Sequence, residues 1–360
     1  MSRSQLARAL ALLLVTASVP AFMSAAPDGA ARSRAWFVST VGRDDNPGTE
    51  DRPFATVQRA ADLVLPGDVV TIEDGVYTGV GAGTPCAPST KPVVCVTGGG
   101  TSTAPVTFRA RHPLKARLSG RNNSSTDGFR LMSGVSYVRI EGFEIFGMGN
   151  ESGSASGIEL YAGGYGSVIA GNDIHDIGRL CTHTTNGQVG VFIEQPHVTV
   201  TQNQIHDIGR YMVGENGCTV GYNASTDHGI YVNGNRSAAI PGADDVVIDR
   251  NVFYNNKRGW SVQLYAGTIA RARIVNNTFA FGNPYQDGYI VLGAPTVDSV
   301  IANNTFYSPR TAAIYYYRGT DAGLQIRDNT VAGAALMTAM PSGATVDGNR
   351  TVAAMSVVLP

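Results

Sequence analysis

One asparagine recurs through this chain in the same surroundings, with a β-branched strand before it and an apolar residue two positions after. The segments are SVIAGNDI (167–174), VTVTQNQI (198–205), VVIDRNVF (246–253), RIVNNTF (273–279), VIANNTF (300–306), QIRDNTV (325–331) and TVDGNRTV (345–352). They align Asn172, Asn203, Asn251, Asn277, Asn304, Asn329 and Asn349, and RIEGFEI (139–145) places Phe143 at the same point. Successive spacings are 29, 31, 48, 26, 27, 25 and 20 residues. A recurrence in the twenties, carried on strands with no helical period, marks a β-solenoid, in which each coil pairs only with its neighbours. Aligned Asn amides hold both donors and acceptors, so they can hydrogen-bond from coil to coil, with Phe143 at one end of the ladder. The ladder thus has a structural role, and no catalysis is assigned to it.

A second strand follows in each coil: SGIELYAG (156–163), VGVFIEQ (189–195), HGIYVNG (228–234), WSVQLYAG (260–267), YIVLGA (289–294) and AIYYYRG (313–319). Alternation points Ile158, Val191, Ile230, Val262, Ile290 and Ile314 inward, and the residues two places on likewise. The positions between face out in two columns. One runs Glu159, Phe192, Tyr231, Gln263, Val291, Tyr315; the other runs Tyr161, Glu194, Asn233, Tyr265, Gly293, Tyr317. Aromatics, carboxylates and amides at a repeat of about 4.8 Å suit a sugar chain laid along the face. An ordinary exposed sheet face is the bland alternative.

The ends fit an exported single domain spanning 35–360. Residues 1–26 read as a secretory signal, with Arg3 and Arg8, then an apolar run Ala9–Val19 too short to span a bilayer, then small residues. A secreted, soluble, monomeric protein is expected. WFVST (36–40) reads as a strand, Ala55 to Leu65 as an amphipathic helix with Thr56 as N-cap, and VVTIEDGVY (69–77) as the start of the first coil. The helix would cover open strand edges. With 15% charged residues and a net charge of −1, the chain is not suited to nucleic acid. The four cysteines pair most simply as Cys86–Cys95, across a short loop, and Cys181–Cys218, between loops of adjacent coils.

The string VSTVGRDDNPGTEDRPFATVQRAADLVLPGDVVTIEDGVY (38–77) resembles the opening of pectate-lyase-like right-handed β-helix proteins. That group holds polysaccharide lyases, epimerases and glycoside hydrolases. The resemblance implies an all-β, right-handed parallel β-helix with a short N-terminal capping helix, and it does not single out a reaction.

Candidate chemistry gathers around the middle coils. HDIGR occurs twice, as His175–Arg179 and His206–Arg210, and YNNKRG puts Lys257 and Arg258 in register with Gly209 and Arg210. Arg179, Arg210 and Arg258 are therefore expected along one edge of the groove, with Asp176 and Asp207 as their partners. Lengthened loops at 180–187, at 211–226 and around Ser237 to Asp245 frame the same place. Lys257 stands out because Lys is rare here and can lose its proton beside other cations.

A polysaccharide lyase acting on an acidic polysaccharide is the leading reading. β-Elimination needs the uronate carboxylate neutralised, a base for the C5 proton and an acid for the leaving oxygen. Lys257 is the candidate base with His228 in reserve, Tyr231 the acid, and Asp227 a further member of the site. Arg179, Arg210, Arg258, Glu159, Glu194, Asn233, Gln263, Tyr265 and Tyr161 are candidate substrate-binding residues. Ca²⁺ held by acidic side chains is what the resemblance implies as a cofactor, although no dense acidic cluster is visible. A glycoside hydrolase would instead use Glu159 and Glu194 as paired carboxylates, about 8 Å apart. The same residues would serve a C5 epimerase, and a non-catalytic carbohydrate-binding protein would keep the aromatic columns alone.

Overall fold

The computed structural model describes residues 33–357 and 359, except 80–85, 87–89, 183–185, 221–225, 238–240, 285–286 and 320. The expected signal at 1–26 lies outside the described residues, as do parts of the three lengthened loops. Nearly every element is a short strand, and the strands stack into three long parallel sheets of 11, 9 and 10 strands. Neighbours in each sheet come from successive coils, so the chain is a right-handed parallel β-helix. One coil shows the plan: Val168–Ala170 in the 11-stranded sheet, Asp173–His175 in the 10-stranded sheet, and Gln188–Ile193 in the 9-stranded sheet.

The recurrent asparagine sits where the chain turns from the first of these strands to the second. Asn251 is typical. Its Oδ1 accepts the backbone N–H of Asn203 at 3.0 Å and the Asn203 side-chain amide at 2.9 Å. Its own amide donates to Val200 at 2.9 Å and to Asn277 at 3.1 Å. The pattern repeats from Asn172 to Asn349, and at the other end Phe143 donates its N–H to Asn172 at 2.9 Å. The residue before each ladder position is left-handed, with φ from 54° to 77° across Gly142, Gly171, Gln202, Arg250, Asn276, Asn303, Asp328 and Gly348. A tight corner needs that conformation, which Gly, Asn and Asp adopt at least cost, and one of these three stands there in six of the eight coils.

The interior is apolar along the whole stack. Ile158, Val191, Ile230, Val262, Ile290 and Ile314 are each fully buried, as alternation predicts. Phe253, Phe279 and Phe306 stack in register at 4.8 and 4.9 Å. Each such side chain contributes about 1.5–3 kcal/mol of burial free energy. A column of glycines runs beside the inward residues of the 9-stranded sheet. A Cβ on Gly157 would meet the carbonyl of Gly190 at 2.6 Å, and one on Gly190 would meet Gly229 at 2.5 Å, so the coils approach there too closely for any side chain.

The capping helix spans Val57–Ala61, shorter than the expected Ala55–Leu65. Thr56 caps it, accepting the Arg59 N–H at 3.1 Å. Beyond Ala61 the chain turns toward Pro66 and Gly67, which cannot prolong a helix. The Gln58 side chain behaves like a missing strand: it donates to the Cys95 carbonyl at 3.0 Å and accepts the Cys95 N–H at 2.7 Å. The free edge of the first strand in the 9-stranded sheet, Val94–Val96, is closed in this way.

Candidate functional site

Register decides which residues share a face. Glu159 pairs with Phe192, Phe192 with Tyr231, Tyr231 with Gln263, Gln263 with Val291, and Val291 with Tyr315. The expected outward column is therefore present over six coils, and Asn233 pairs with Tyr265 in the second column. Along this face lies a groove of about 540 Å³, lined among others by Glu159, Phe192, His228, Tyr231, Gln263 and Tyr265.

One end of the groove is built on an ion-pair cluster. Arg130 pairs with Glu159 in the ladder, one coil earlier than the strands aligned in the sequence. Its guanidinium bridges Asp127 at 2.6 Å and Glu159 at 3.0 Å, donates to the Tyr161 hydroxyl, and lies over the Tyr161 ring at 4.8 Å. Asp127 is fully buried and also accepts the Thr126 hydroxyl at 2.7 Å. Burial, reinforced by the Asp127 charge, raises the Glu159 pKa to about 8 despite Arg130. Both forms of Glu159 are therefore accessible near neutral pH.

The middle of the groove holds His228, Tyr231, Trp260 and Gln263. His228 stacks on Trp260 at 5.8 Å and meets Tyr231 edge-on at 5.8 Å. Burial drives its pKa down to about 3, so the ring is neutral. Its Nδ1 accepts the Trp260 backbone N–H at 3.3 Å, which leaves the proton on Nε2. His228 is thus a hydrogen-bond donor and not the reserve base expected from the sequence. Gly259 permits the contact: a Cβ there would fall 2.6 Å from His228 Nδ1. Tyr231 packs edge-on against Phe192 at 5.1 Å, and burial raises its pKa to about 12 although Gln263 hydrogen-bonds it. It keeps its proton until a partner takes it.

Several expected site residues are elsewhere. Arg210 is fully buried and grips Asp227 at 2.8 and 3.0 Å; Asp227 also accepts the backbone N–H groups of Arg210 at 2.9 Å and Gln188 at 3.0 Å. Arg258 is buried too, donating to the carbonyls of Arg210 and Lys257 at 2.9 Å and pairing with Glu215. The arginines do line up from coil to coil, but they tie turns together beneath the surface, because a guanidinium can satisfy several carbonyls at once. Arg179 lies over the Tyr211 ring at 4.3 Å. Its contact with Asp176 is 3.8 Å, while Asp207 pairs with His206 at 2.7 Å and, among the described residues, not with an arginine. Lys257 is exposed and lies outside the groove lining. Glu194 is held by Asn233 at 3.0 Å and, like Tyr161 and Asn233, does not line the groove, so the Glu159–Glu194 carboxylate pair is not assembled there. Both expected disulfides, Cys86–Cys95 and Cys181–Cys218, are present.

The donors Ca²⁺ would need are not assembled among the described residues. No group of three His, Cys, Asp or Glu is placed to hold a metal, and Asp227 and Asp127 are each engaged by an arginine.

Asp127, Arg130 and Trp260 were not foreseen as site residues. The first two carried a readable signal: TDGFRL (126–131) shares the Gly-apolar-x-apolar pattern of SGIEL and HGIYV. Trp260 carried none, since its role depends on how a turn folds over His228.

The sequence profile described as "Pel9A-like, right handed beta helix region" matches residues 36–289. An alginate lyase from Paenibacillus sp. str. FPU-7 superposes with a TM-score of 0.62 at 20% identity, covering 83% of this chain and 93% of that one. A rhamnogalacturonan lyase gives 0.56 at 15% identity over 84% and 75%. A glycoside hydrolase gives 0.56 at 10% identity over 88% and 96%. At these identities the likeness is one of fold. The protein YwoF of Bacillus subtilis (strain 168) is 27% identical over 142 residues, so the chain spans 28% of that relative's length.

Proposed function

The chain belongs to the Pel9A-like right-handed β-helix family, and from that premise we propose that it is a secreted carbohydrate-active enzyme, a polysaccharide lyase that breaks a uronate-containing chain by β-elimination. The observation that carries this reading is that Glu159 and Tyr231 flank Phe192 in one groove, one coil to either side. A sugar ring over Phe192 meets a carboxyl on one side and a phenol on the other.

The chemistry follows from the protonation states. Glu159, ionised above about pH 8, takes the C5 proton. The electron pair of that C–H bond becomes the C4=C5 double bond as the C4–O bond breaks. Tyr231 gives its proton to the departing oxygen. The Gln263 amide and the His228 Nε2–H are donors that can hold the substrate carboxylate and the charge that builds on it. Aromatic walls from Phe192 and Trp260 exclude water and pack against the sugar faces. Two disulfides agree with export to an oxidising compartment.

The raised pKa of Glu159 also favours a second reading, a glycoside hydrolase in which protonated Glu159 is the general acid. The two readings differ in sign. As base, Glu159 works in its ionised form and kcat/KM climbs as pH rises through about 8; as acid, it works protonated and kcat/KM falls over the same range. The test is incubation with several polyuronides while following the ultraviolet absorbance of the unsaturated product across pH. Absorbance on a rising limb is expected. Reducing ends without that absorbance, on a falling limb, would replace the lyase with the hydrolase.

A further inference from the structure

At the end of the groove remote from Glu159, Tyr265 and Tyr317 line the wall with Gly293 between them in the column. A Cβ on Gly293 would stand 2.8 Å from the Tyr265 ring, so the glycine is what lets that ring lie flat along the face. Arg318 sits over both rings at once, 5.5 Å from each centroid, and its Nη2 reaches the Tyr265 hydroxyl at 3.4 Å. Tyr317 and Arg318 are exposed. The remaining guanidinium contact is to the Gly293 carbonyl at 3.4 Å, and no carboxylate pairs with Arg318 among the described residues.

Three buried arginines of neighbouring coils differ from it. Arg130 is balanced by Asp127 and Glu159, Arg210 by Asp227, and Arg258 by Glu215. Among the described residues, Glu159 is the one charged member of the lining itself. Beside this end of the groove, just outside its lining residues, stands an exposed cation held by two aromatic rings, an arrangement suited to an anion on a ring-shaped ligand.

We propose that this end of the groove is a subsite for an anionic sugar unit, in which Tyr265 and Tyr317 pack against the ring and Arg318 receives its carboxylate or sulfate. The inference rests on the glycan reading of the groove and adds to it. Tyr265 lies one coil and Tyr317 three coils beyond Tyr231, so the guanidinium that spans their rings stands about two coils along the face, about 10 Å at about 4.8 Å per coil. The anion it reads thus belongs to a different unit from the one at Tyr231. The substrate is then a chain bearing repeated negative charge, and not a neutral chain with one acidic residue at the cut.

The test is calorimetric binding in a Tyr231→Phe background, where the ligand is not consumed. The probes are galacturonate and mannuronate hexasaccharides, a sulfated hexasaccharide and neutral cellohexaose. Adding Arg318→Gln is expected to weaken the acidic ligands about tenfold, as loss of one charge-assisted contact should. Arg318→Lys should recover part of that loss, and the affinity for cellohexaose should not move. Whichever acid shows the Arg318 dependence identifies the anion. Arg327→Gln, which removes an exposed charge on a different sheet, serves as the control. Undiminished acidic binding in Arg318→Gln, or an equal loss for the neutral ligand, overturns the subsite while leaving the glycan groove intact. Failure of the background protein to bind any of the four ligands removes the glycan reading and the subsite with it.

Discussion

Two outward-facing columns of this solenoid obey the same register and have opposite fates. On the 10-stranded sheet, Phe146, His175, His206 and Tyr254 stack face to face at 5.4, 4.9 and 4.2 Å. Each imidazole is enclosed by carboxylates: His175 meets Asp176 at 2.8 Å and Glu144 at 3.4 Å, and His206 meets Asp207 at 2.7 Å and Asp173 at 3.0 Å. On the 9-stranded sheet, Glu159, Phe192, Tyr231 and Gln263 are all different, and they border a groove. Like residues in successive coils satisfy one another and make a structural ladder; unlike residues leave polar atoms facing outward, where a ligand can use them. The HDIGR repeat, which looked like an edge of the site, belongs to the first kind.

The contrast is easiest to break at Tyr231. Tyr231→Phe should lower turnover by about 100-fold or more while the melting temperature holds, whereas His206→Phe should keep turnover. Steady-state rates on the cleaved polymer, paired with thermal melts, decide it. The next effect is purely structural. Asn251→Ala leaves the Asn203 backbone N–H and side-chain amide without their buried acceptor, and should cost about 3 kcal/mol in denaturant unfolding.

A smaller, pH-dependent effect marks the histidine ladder. Burial pulls the His206 pKa down, but hydrogen bonds to Asp173 and Asp207 and their charges more than offset it, leaving it near 9. A pKa raised on folding gives stability that is full below the unfolded value of about 6.5 and is lost as pH climbs through about 9. Melting temperature should fall by a few degrees over that window, and His206→Gln should flatten the slope. The smallest expected effect is at Lys257, where Lys257→Ala should leave activity within about twofold of the parent, as for most surface substitutions. Loss of activity there would return the lysine to the mechanism.

The architecture was legible because it is written in a repeat. Asn172 through Asn349 announced the corner, alternation announced the inward residues, and aligning the second strands placed Glu159, Phe192, Tyr231 and Gln263 on one face. The errors were at turns. Arg210 and Arg258 align with each other as read, yet alignment says nothing of whether a turn side chain points outward or folds under the strand, and both fold under. His228 lines the groove, as its strand predicts, while the burial that lowers its pKa and the Trp260 N–H that its Nδ1 accepts come from a neighbouring coil.

By itself, then, the sequence determined the solenoid, its register, both disulfide pairings and the membership of the outward columns, because strand periodicity and coil spacing are properties of position along the chain. Only the tertiary structure decided which polar groups are free to act. Desolvation and hydrogen bonding depend on what each coil lays over the next: Arg130 over Glu159, Trp260 over His228, Arg318 over Tyr265 and Tyr317. Those distances in space bring together residues that the sequence holds up to 53 positions apart, and no local pattern encodes them.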